Sequence, residues 1–263
     1  MKHILITNDD GYEAVGLKAL VEALSPIAKI TVVAPATQKS ACGHSLTLTR
    51  PLRLVSVDDD FYKVDDGTPT DCVFISLHSL FKEGKKPDLI VSGINAGSNM
   101  GEDITYSGTA SAAMEGVLHG IPSIAISQVC KSNCKDIENG WDFALAKETI
   151  VKIVKKIFAG EFPIGHRKFL NVNIPPIHPS ECAGIRVTKA GYRLYGDDVH
   201  RHTNPRGEEY YWVGLHPLIW KKSVDDMCDF EATKNNYVSI TPVQLDMTSY
   251  DDIQKLGEWL CNN

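Results

Sequence analysis

Along the first 176 residues, short apolar runs alternate with segments in which apolar residues recur at helical spacing. The runs are rich in β-branched residues and end at Gly, Pro, Asn or Ser, a pattern typical of buried strands. The strands predicted in this way are Ile4–Thr7, Ile30–Ala34, Asp88–Val91, Ile121–Ser127 and Phe169–Ile174. Two more strands, Leu46–Leu54 and Phe61–Val64, are predicted to form a hairpin-like excursion.

Helices are predicted between these strands. Apolar residues recur at helical spacing from Leu17 to Leu24, and Pro26 closes that segment. The other predicted helices cover Pro69–Phe81, Ser107–Val117 and Trp141–Phe158. Repeated strand–helix–strand units imply an α/β fold with a doubly wound, mostly parallel sheet that carries helices on both faces.

The pattern changes after Pro176. Strands are predicted at Gly184–Thr188, Glu208–Val213 and Tyr237–Thr241 without helices between them, and Asp251–Leu260 predicts a short closing helix. We therefore expect residues 1–176 to form the core of the fold. Residues 177–263 are expected to form an antiparallel extension, or arm, with a C-terminal helix, within one integrated domain.

Composition narrows the classes of function. The 263 residues carry a formal net charge of −6, which argues against binding duplex nucleic acid through a basic surface. No apolar run approaches the roughly 18–20 residues that a membrane span requires. The first residues do not have the pattern of a signal peptide, so we expect a cytoplasmic location.

The seven cysteines are predicted to be free thiols, because their odd number and scattered spacing do not suggest a disulfide framework. Cys130 and Cys134 form a C-x-x-x-C pair. A zinc site would need further ligands at suitable spacing, and none follows this pair.

Three polar clusters follow predicted strands. Ligands in an open parallel sheet bind outside the carboxyl ends of the strands, so we expect these clusters to meet at one edge. The clusters are Asn8-Asp9-Asp10-Gly11, then Ser40 with Gly43-His44-Ser45, and finally Ser92-Gly93-Ile94-Asn95.

Asp9 and Asp10 are adjacent carboxylates, which repel each other unless a cation lies nearby. Alone, they are more typical of a turn with one solvated Asp and one helix cap. Their coincidence with the oxygen-rich clusters around Ser40 and Asn95 favours a metal site. Two carboxylates, a hydroxyl and an amide oxygen are hard ligands that suit one Mg²⁺ or Mn²⁺ ion.

The sequence Tyr106-Ser107-Gly108-Thr109 begins a helix rich in small residues. Free backbone N–H groups, hydroxyls and the positive end of the helix dipole can bind a phosphate there. The alternative is a plain N-cap, and the phosphate interpretation gains weight only beside a metal site. Asn95 and Asn99, in the preceding loop, are further candidates for contacts with the substrate.

Other motifs of phosphate and ester chemistry are missing. The loop glycines Gly97 and Gly101 fit neither the dinucleotide fingerprint nor a P-loop, and no G-x-S-x-G elbow occurs. His44 could act as an acid or base, or simply bond to a loop backbone. His200 and His202, with neighbouring Asp and Arg residues, could form a metal patch or a solvated loop.

Taken in order along nearly the whole chain, these motifs resemble the SurE survival-protein family of nucleoside-monophosphate phosphatases. The matching segments are Thr7-Asn8-Asp9-Asp10-Gly11, Val33-Ala34-Pro35, His44-Ser45-Leu46-Thr47, Gly67-Thr68-Pro69-Thr70-Asp71-Cys72, Val91-Ser92-Gly93-Ile94-Asn95-Ala96-Gly97, Asn99-Met100-Gly101, Tyr106-Ser107-Gly108-Thr109, Ala112-Ala113-Met114-Glu115-Gly116, Leu170-Asn171-Val172-Asn173-Ile174-Pro175 and Tyr237-Val238-Ser239-Ile240-Thr241-Pro242.

The resemblance implies a Rossmann-like core and a metal held by Asp9, Asp10, Ser40 and Asn95. It also implies hydrolysis of nucleoside 5′- and 3′-monophosphates to nucleoside and phosphate, with short polyphosphate as a further substrate, and a homodimer or homotetramer built through the C-terminal arm. One position departs from some members of the family, which carry a His where this chain has Gln244. Glutamine does not transfer protons at neutral pH.

The resulting hypothesis is metal-assisted hydrolysis of a phosphomonoester. Asn95 and the Ser107–Thr109 amides hold the phosphoryl oxygens, Asp9 or Asp10 orients the attacking water, and Asp103 protonates the leaving ribose oxygen. Two rivals stay open: a nucleotide-binding regulatory protein with little turnover, and a metal-dependent hydrolase of another bond, such as an N-acyl link.

Overall fold

A computed structural model describes residues 1–81, 85–130, 140–160, 164–196, 198–214, 218–222 and 228–261. The strands are β1 (His3–Thr7), β2 (Lys29–Pro35), β3 (Arg53–Asp58), β4 (Phe61–Asp65), β5 (Leu89–Ala96), β6 (Ser123–Gln128), β7 (Lys168–Ile174), β8 (Gly184–Val187), β9 (Tyr192–Leu194), β10 (Val199–Thr203), β11 (Glu209–Val213), β12 (Ile219–Lys221) and β13 (Tyr237–Gln244). The helices are α1 (Val15–Leu24), α2 (Pro69–Ser79), α3 (Gly108–Leu118), α4 (Ala144–Phe158), α5 (Asp229–Lys234) and α6 (Tyr250–Cys261), and 3-10 helices cover Gly101–Thr105 and Pro179–Glu181.

The central sheet has nine strands in the order β3-β4-β2-β1-β5-β6-β7-β13-β8. The strands from β4 to β7 in this order are mutually parallel. From β1 the chain passes to β2 on one side, while β5 lies on the other side. The strand order therefore reverses between β1 and β5, and the crevice outside their carboxyl ends is where such sheets bind ligands.

Helices cover both faces of this sheet because side chains alternate along each strand. Ile4 and Ile6 of β1 belong to the core cluster formed with α1 and α4. Leu5, between them, belongs to the cluster on the other face, with Val73 of α2 and Ala112 of α3. These two helical layers confirm the predicted α/β, Rossmann-like, mostly parallel fold.

The predicted strand Leu46–Leu54 is wrong over most of its length, since β3 begins only at Arg53. The backbone N–H and the hydroxyl of Thr47 donate to the carboxylate of Asp71 at 2.9 and 2.7 Å. Asp71 lies in the first turn of α2, where it also completes a capping box with Thr68. Side-chain hydrogen bonds to a helix end thus replace strand pairing in this loop.

Strand β5 continues beyond Ser92-Gly93, where the sequence predicted that it would stop. A bulge between Ser92 and Asn95 shifts its register against β6. A Cβ atom on Gly93 would lie 2.2 Å from the carbonyl oxygen of Ile126, so glycine at this position permits close approach of the two strands. The glycine marks an irregularity within the strand rather than its end.

Residues after 176 contribute both to the sheet and to the arm. Strand β13 pairs antiparallel with β7 and parallel with β8, so it extends the central sheet. The short helix α5 lies between β12 and β13, where no helix was predicted. The two-stranded ladders β9–β12 and β10–β11 form the arm. No helix in the described ranges is both long and apolar enough to cross a membrane.

Candidate active site

Two backbone-mediated contacts join three strand ends. The N–H of Lys39, in the loop after β2, donates to the carbonyl oxygen of Asp9 at 2.7 Å. The N–H of Ala96, at the end of β5, donates to Oδ2 of Asp10 at 3.1 Å. Ser40 and Asn95 are the neighbours of these two donors, so both flank the carboxylate pair. The backbones that carry the four predicted metal ligands therefore lie side by side.

Asp9 is buried, and Thr109 holds its side chain. The Thr109 hydroxyl donates to Oδ1 at 2.5 Å, and its backbone N–H donates to Oδ2 at 3.1 Å. A Cβ atom on Gly108 would lie 2.8 Å from Cβ of Asp9. Glycine thus lets the first turn of α3 approach the carboxylate, which faces the positive end of the helix dipole.

The protein environment opposes ionisation of both carboxyl groups. Burial raises the pKa of Asp9 to about 6, against the hydrogen bonds from Thr109, and the negative charge of Asp10 adds to the rise. Burial also raises the pKa of Asp10, against the Ala96 N–H. Within the described ranges, no Lys, Arg or His forms an ion pair with either carboxylate. A bound cation would supply the missing positive charge.

The donor set fits a hard divalent ion. Among the described residues, no hydrogen bond uses Oδ1 of Asp10 or Oδ1 of Asn95, whose Nδ2 donates to Gly97 at 2.8 Å. The hydroxyl of Ser40 is exposed and accepts from Gln38 at 3.0 Å. Two carboxylates and neutral oxygens match Mg²⁺ or Mn²⁺, with coordination positions left for water or substrate.

The predicted phosphate turn has fewer free donors than its sequence suggested. Ser107 is the N-cap of α3, where its hydroxyl accepts from Ala110, and its own N–H bonds to Ile104. The N–H of Thr109 is engaged by Asp9. Within the described structure this leaves the N–H of Gly108 and the hydroxyl hydrogen of Ser107 for an anion. The site remains suited to a phosphate at a helix N-terminus.

Asn99 lies in a buried polar network. Its Nδ2 donates to Ser127 at 2.8 Å, and its carbonyl oxygen accepts from Asn171 and Asn173 of β7. These bonds fix the loop after β5 against the ends of β6 and β7. A role for Asn99 in binding substrate would have to use its remaining amide atoms.

Asp103 contacts the arm. Its Oδ2 accepts from Nε of Arg193 at 3.1 Å, and its Oδ1 accepts from the hydroxyl of Tyr195 at 2.9 Å. The neighbouring Glu102 carboxylate accepts from the backbone N–H of Arg193. Because both oxygens of Asp103 serve as acceptors for arm residues, this geometry gives no support to the predicted role of Asp103 as the acid.

Sequence reasoning missed a second cluster of titratable side chains, in which one carboxylate lies between two histidines. Glu115 is buried in α3 and accepts from His44 at 2.9 Å and from His119 at 3.0 Å. Burial works against ionisation of Glu115, but the two histidines hold its pKa below the ordinary value. The ring of His44 therefore clamps the Ser40 loop to α3, almost two turns beyond Thr109. No spacing rule in the sequence pairs His44 with Glu115.

The remaining histidine and cysteine candidates do not converge. His200 pairs with Asp198, and His202 stacks on Tyr210. Across the described ranges, no three His, Cys, Asp or Glu side chains are placed to share a metal ion. Asp197 and Cys134 lie outside the described residues, and the six cysteines within them are free thiols.

Gln244 lies away from this site within its own chain. Its register partner is Lys168, the first residue of β7. The site forms at the carboxyl ends of the parallel strands, whereas Gln244 lies beside the amino end of β7. The Gln244 side chain is therefore not part of the carboxylate site of the same chain.

Comparisons with known proteins agree with the motifs. The family model described as "Survival protein SurE" matches residues 4–197. A protein named 5′-nucleotidase SurE from Aliarcobacter butzleri is 72% identical over 100% of both chains. One of the same name from Helicobacter hepaticus is 60% identical over 99% of both chains. The crystal structure of the SurE protein from Aquifex aeolicus is 42% identical, with a TM-score of 0.82 over 98% of this chain and 99% of that one. The resemblance predicted from the motifs is thus confirmed, and the chain belongs to the SurE family.

Proposed function

We propose that this protein is a metal-dependent phosphomonoesterase that hydrolyses nucleoside 5′-monophosphates, and also 3′-monophosphates, to nucleoside and phosphate. The observation that carries the proposal is the adjacent pair of the buried Asp9 and the half-buried Asp10. Neither carboxylate has a cationic partner in the described structure, and Asp9 lies at the N-terminus of α3. The name 5′-nucleotidase, carried by relatives that match the full chain, supports the same activity.

Asp9, Asp10, Ser40 and Asn95 would hold one divalent ion, Mg²⁺ or Mn²⁺. Such an ion supplies Lewis-acid stabilisation of the charge on the transferring phosphoryl group. The Gly108 N–H and the Ser107 hydroxyl hold phosphoryl oxygens, where the dipole of α3 favours negative charge. Thr109 fixes the orientation of Asp9 through both carboxylate oxygens.

Asp10 is better placed than Asp9 to orient the attacking water. Both oxygens of Asp9 accept hydrogen bonds from Thr109. Asp10 uses only Oδ2, for the Ala96 N–H, and it is less buried than Asp9. Its second oxygen can therefore accept a hydrogen bond from water. Short polyphosphate presents the same terminal phosphoryl group and fits the proposal as a further substrate.

We also propose a homodimer or homotetramer built through residues 177–263. Apolar residues of α6 lie more than half exposed along the helix: Tyr250, Ile253, Leu256, Trp259 and Leu260. Strands β10 and β11 are exposed throughout, with Tyr211, Trp212 and Val213 more than half exposed. Apolar surface of this extent is typical of an interface between copies.

Phosphate release tests the proposed activity. Wild-type protein with Mn²⁺ should release phosphate from a nucleoside monophosphate, and a chelator should abolish the release. Asp10→Asn should lose the activity, while Asp59→Asn, a change at an exposed turn, should keep it. Nucleotide binding without phosphate release would favour the regulatory alternative. Turnover of an N-acyl substrate that lacks phosphate would favour the other hydrolase.

A further inference from the structure

Two tyrosines meet at the rim of the candidate site. Tyr106 directly precedes the N-cap Ser107, and its side chain is 58% exposed. Tyr195, from the arm, is 47% exposed. Their ring centroids lie 6.2 Å apart with an interplanar angle of 79°. The two rings therefore form an open corner beside the phosphate turn.

The backbone of Tyr106 is fixed although its ring faces solvent. Its N–H donates to the carbonyl oxygen of Asp103 at 3.1 Å, and its own carbonyl accepts from Gly43 at 3.0 Å. Gly43 belongs to the same loop as Ser40. Tyr106 therefore lies between that loop and the first turn of α3. The exposed ring of Tyr106 therefore offers its face and edge to a ligand.

Tyr195 is held against the core from the arm side. Its hydroxyl donates to Asp103, and the guanidinium of Arg193 lies over its ring, 5.5 Å from the centroid. Arg193 is itself buried and paired with Asp103. The position of the Tyr195 ring is thus set before any ligand arrives, which lowers the ordering cost of binding.

We propose that Tyr106 and Tyr195 bind the nucleobase of the substrate, a role that rests on the nucleotidase function proposed above. A nucleoside monophosphate separates its phosphate from its base by one ribose. A phosphate held at Ser107 and Gly108 therefore leaves the base within a side chain's length of Tyr106. One ring of the corner stacks on the base, and the other contacts its edge.

Recognition of this kind predicts little preference among the nucleobases. Every nucleobase has a π-face, so stacking on an aromatic ring depends little on base identity. A substrate without a base has nothing to place in the corner. The proposal therefore predicts that base-bearing and base-free phosphomonoesters respond differently when the tyrosines are changed.

The test compares AMP with ribose 5-phosphate. Tyr106→Ala and Tyr195→Ala should each raise the KM for AMP by about tenfold, the low to middle part of the range expected for loss of base stacking. The KM for ribose 5-phosphate and the kcat for both substrates should stay within twofold. Tyr106→Phe keeps the ring and should behave as wild type. A thermal melt of each variant excludes unfolding.

Equilibrium dialysis in the presence of chelator separates this inference from the nucleotidase function, because it measures binding without turnover. Wild-type protein should bind AMP about tenfold more tightly than ribose 5-phosphate, and Tyr106→Ala should remove the difference. Equal binding of the two ligands by the wild type would overturn the base corner even if phosphate release is normal. A difference that the wild type shows and Tyr106→Ala removes would support the corner even if no phosphate is released, and a difference that persists in Tyr106→Ala would overturn it.

Discussion

The carboxylate of Asp9 accepts hydrogen bonds from both the backbone N–H and the hydroxyl of Thr109, one hundred residues further along the chain. This double contact joins the end of β1 to the first turn of α3. It uses both oxygens of a buried acid whose pKa is raised to about 6 by burial. The orientation of the candidate metal ligand is thus set by a helix end rather than by its own turn.

Removing the hydroxyl of Thr109 should weaken metal-dependent activity. Thr109→Val keeps the shape and the backbone N–H but removes one hydrogen bond to a charged group, which contributes roughly 1.5–3 kcal/mol. We expect kcat/KM for a nucleoside monophosphate to fall at least tenfold at subsaturating Mn²⁺. Thr109→Ser keeps the hydroxyl and should stay within threefold of wild type. Equal losses in both variants would point to packing instead of the hydrogen bond.

Asp9 should also shape the pH dependence of stability in metal-free protein. Its pKa is raised from 3.8 to about 6 in the fold, so the folded state holds more protons than the unfolded state between those values. Stability from this group is therefore greatest at low pH and is lost as pH rises through that window. With a chelator present, Asp9→Asn should melt above wild type at pH 7.5, and the gap should close below pH 4.

The Asp9→Asn variant isolates the effect of the negative charge at this position. Asn at position 9 can accept from the Thr109 N–H while donating to its hydroxyl, so the substitution keeps the local contacts. Added Mn²⁺ should raise the melting temperature of wild type more than that of the variant. A chelated wild type that melts at or above Asp9→Asn at pH 7.5 would contradict the expected penalty. Asp59→Asn provides an exposed control.

The sheet and the carboxylate pair were predictable because each depends on local pattern. Apolar runs define β1 and β2, and polar residues directly after them must meet at one edge of a parallel sheet. The contacts of Thr109 and Asp103 were not predictable, because both depend on how distant elements pack.

Two details of the fold were also not predicted from the sequence. The Thr47–Asp71 contact depends on tertiary packing, although Thr68 and Asp71 have the spacing of a capping box. The predicted strand end at Gly93 was wrong because glycine occurs both at strand ends and at bulges within strands.

The His44–Glu115 contact should tune metal binding rather than the chemical step. Glu115 lies almost two turns along α3 from Thr109, so His44 clamps the Ser40 loop without reaching Asp9. His44→Ala leaves a buried carboxylate oxygen without its partner and loosens that loop. We expect a several-fold higher Mn²⁺ concentration at half-maximal activity, with kcat at saturating metal within twofold. This is measured by titrating Mn²⁺ in the phosphate-release assay.

His78 provides the matched control for that experiment. It lies near His119, with ring centroids 5.3 Å apart, but its Nδ1 bonds to the carbonyl of Phe74. His78→Ala should leave the Mn²⁺ requirement unchanged. A loss of kcat at saturating metal in His44→Ala would instead indicate that His44 takes part in the reaction.

Asp103 offers a direct test of two roles. Loss of a general acid costs about 10²- to 10⁴-fold in rate and alters the basic limb of the pH profile. A carboxylate that only anchors Arg193 and Tyr195 can be replaced by asparagine, because its amide oxygen accepts from Nε of Arg193 while its NH2 group donates to the hydroxyl oxygen of Tyr195. We expect Asp103→Asn to keep kcat within fivefold and to leave the pH profile of kcat unchanged. A drop of a hundredfold with a lost basic limb would restore the acid role.

The apolar stripe of α6 should control assembly. Ile253, Leu256 and Leu260 recur at three- and four-residue spacing on a helix that has no buried residue in the isolated chain. Such a stripe stabilises a helix only when another surface covers it. Leu256→Asp places a charge in that contact, so we expect a smaller mass by light scattering after size exclusion, most clearly at low protein concentration. Gln254→Asp adds the same charge on the polar face and should keep the wild-type mass. If both variants dissociate, net charge rather than the stripe sets the assembly. If neither variant dissociates, the contact between copies lies elsewhere in residues 177–263.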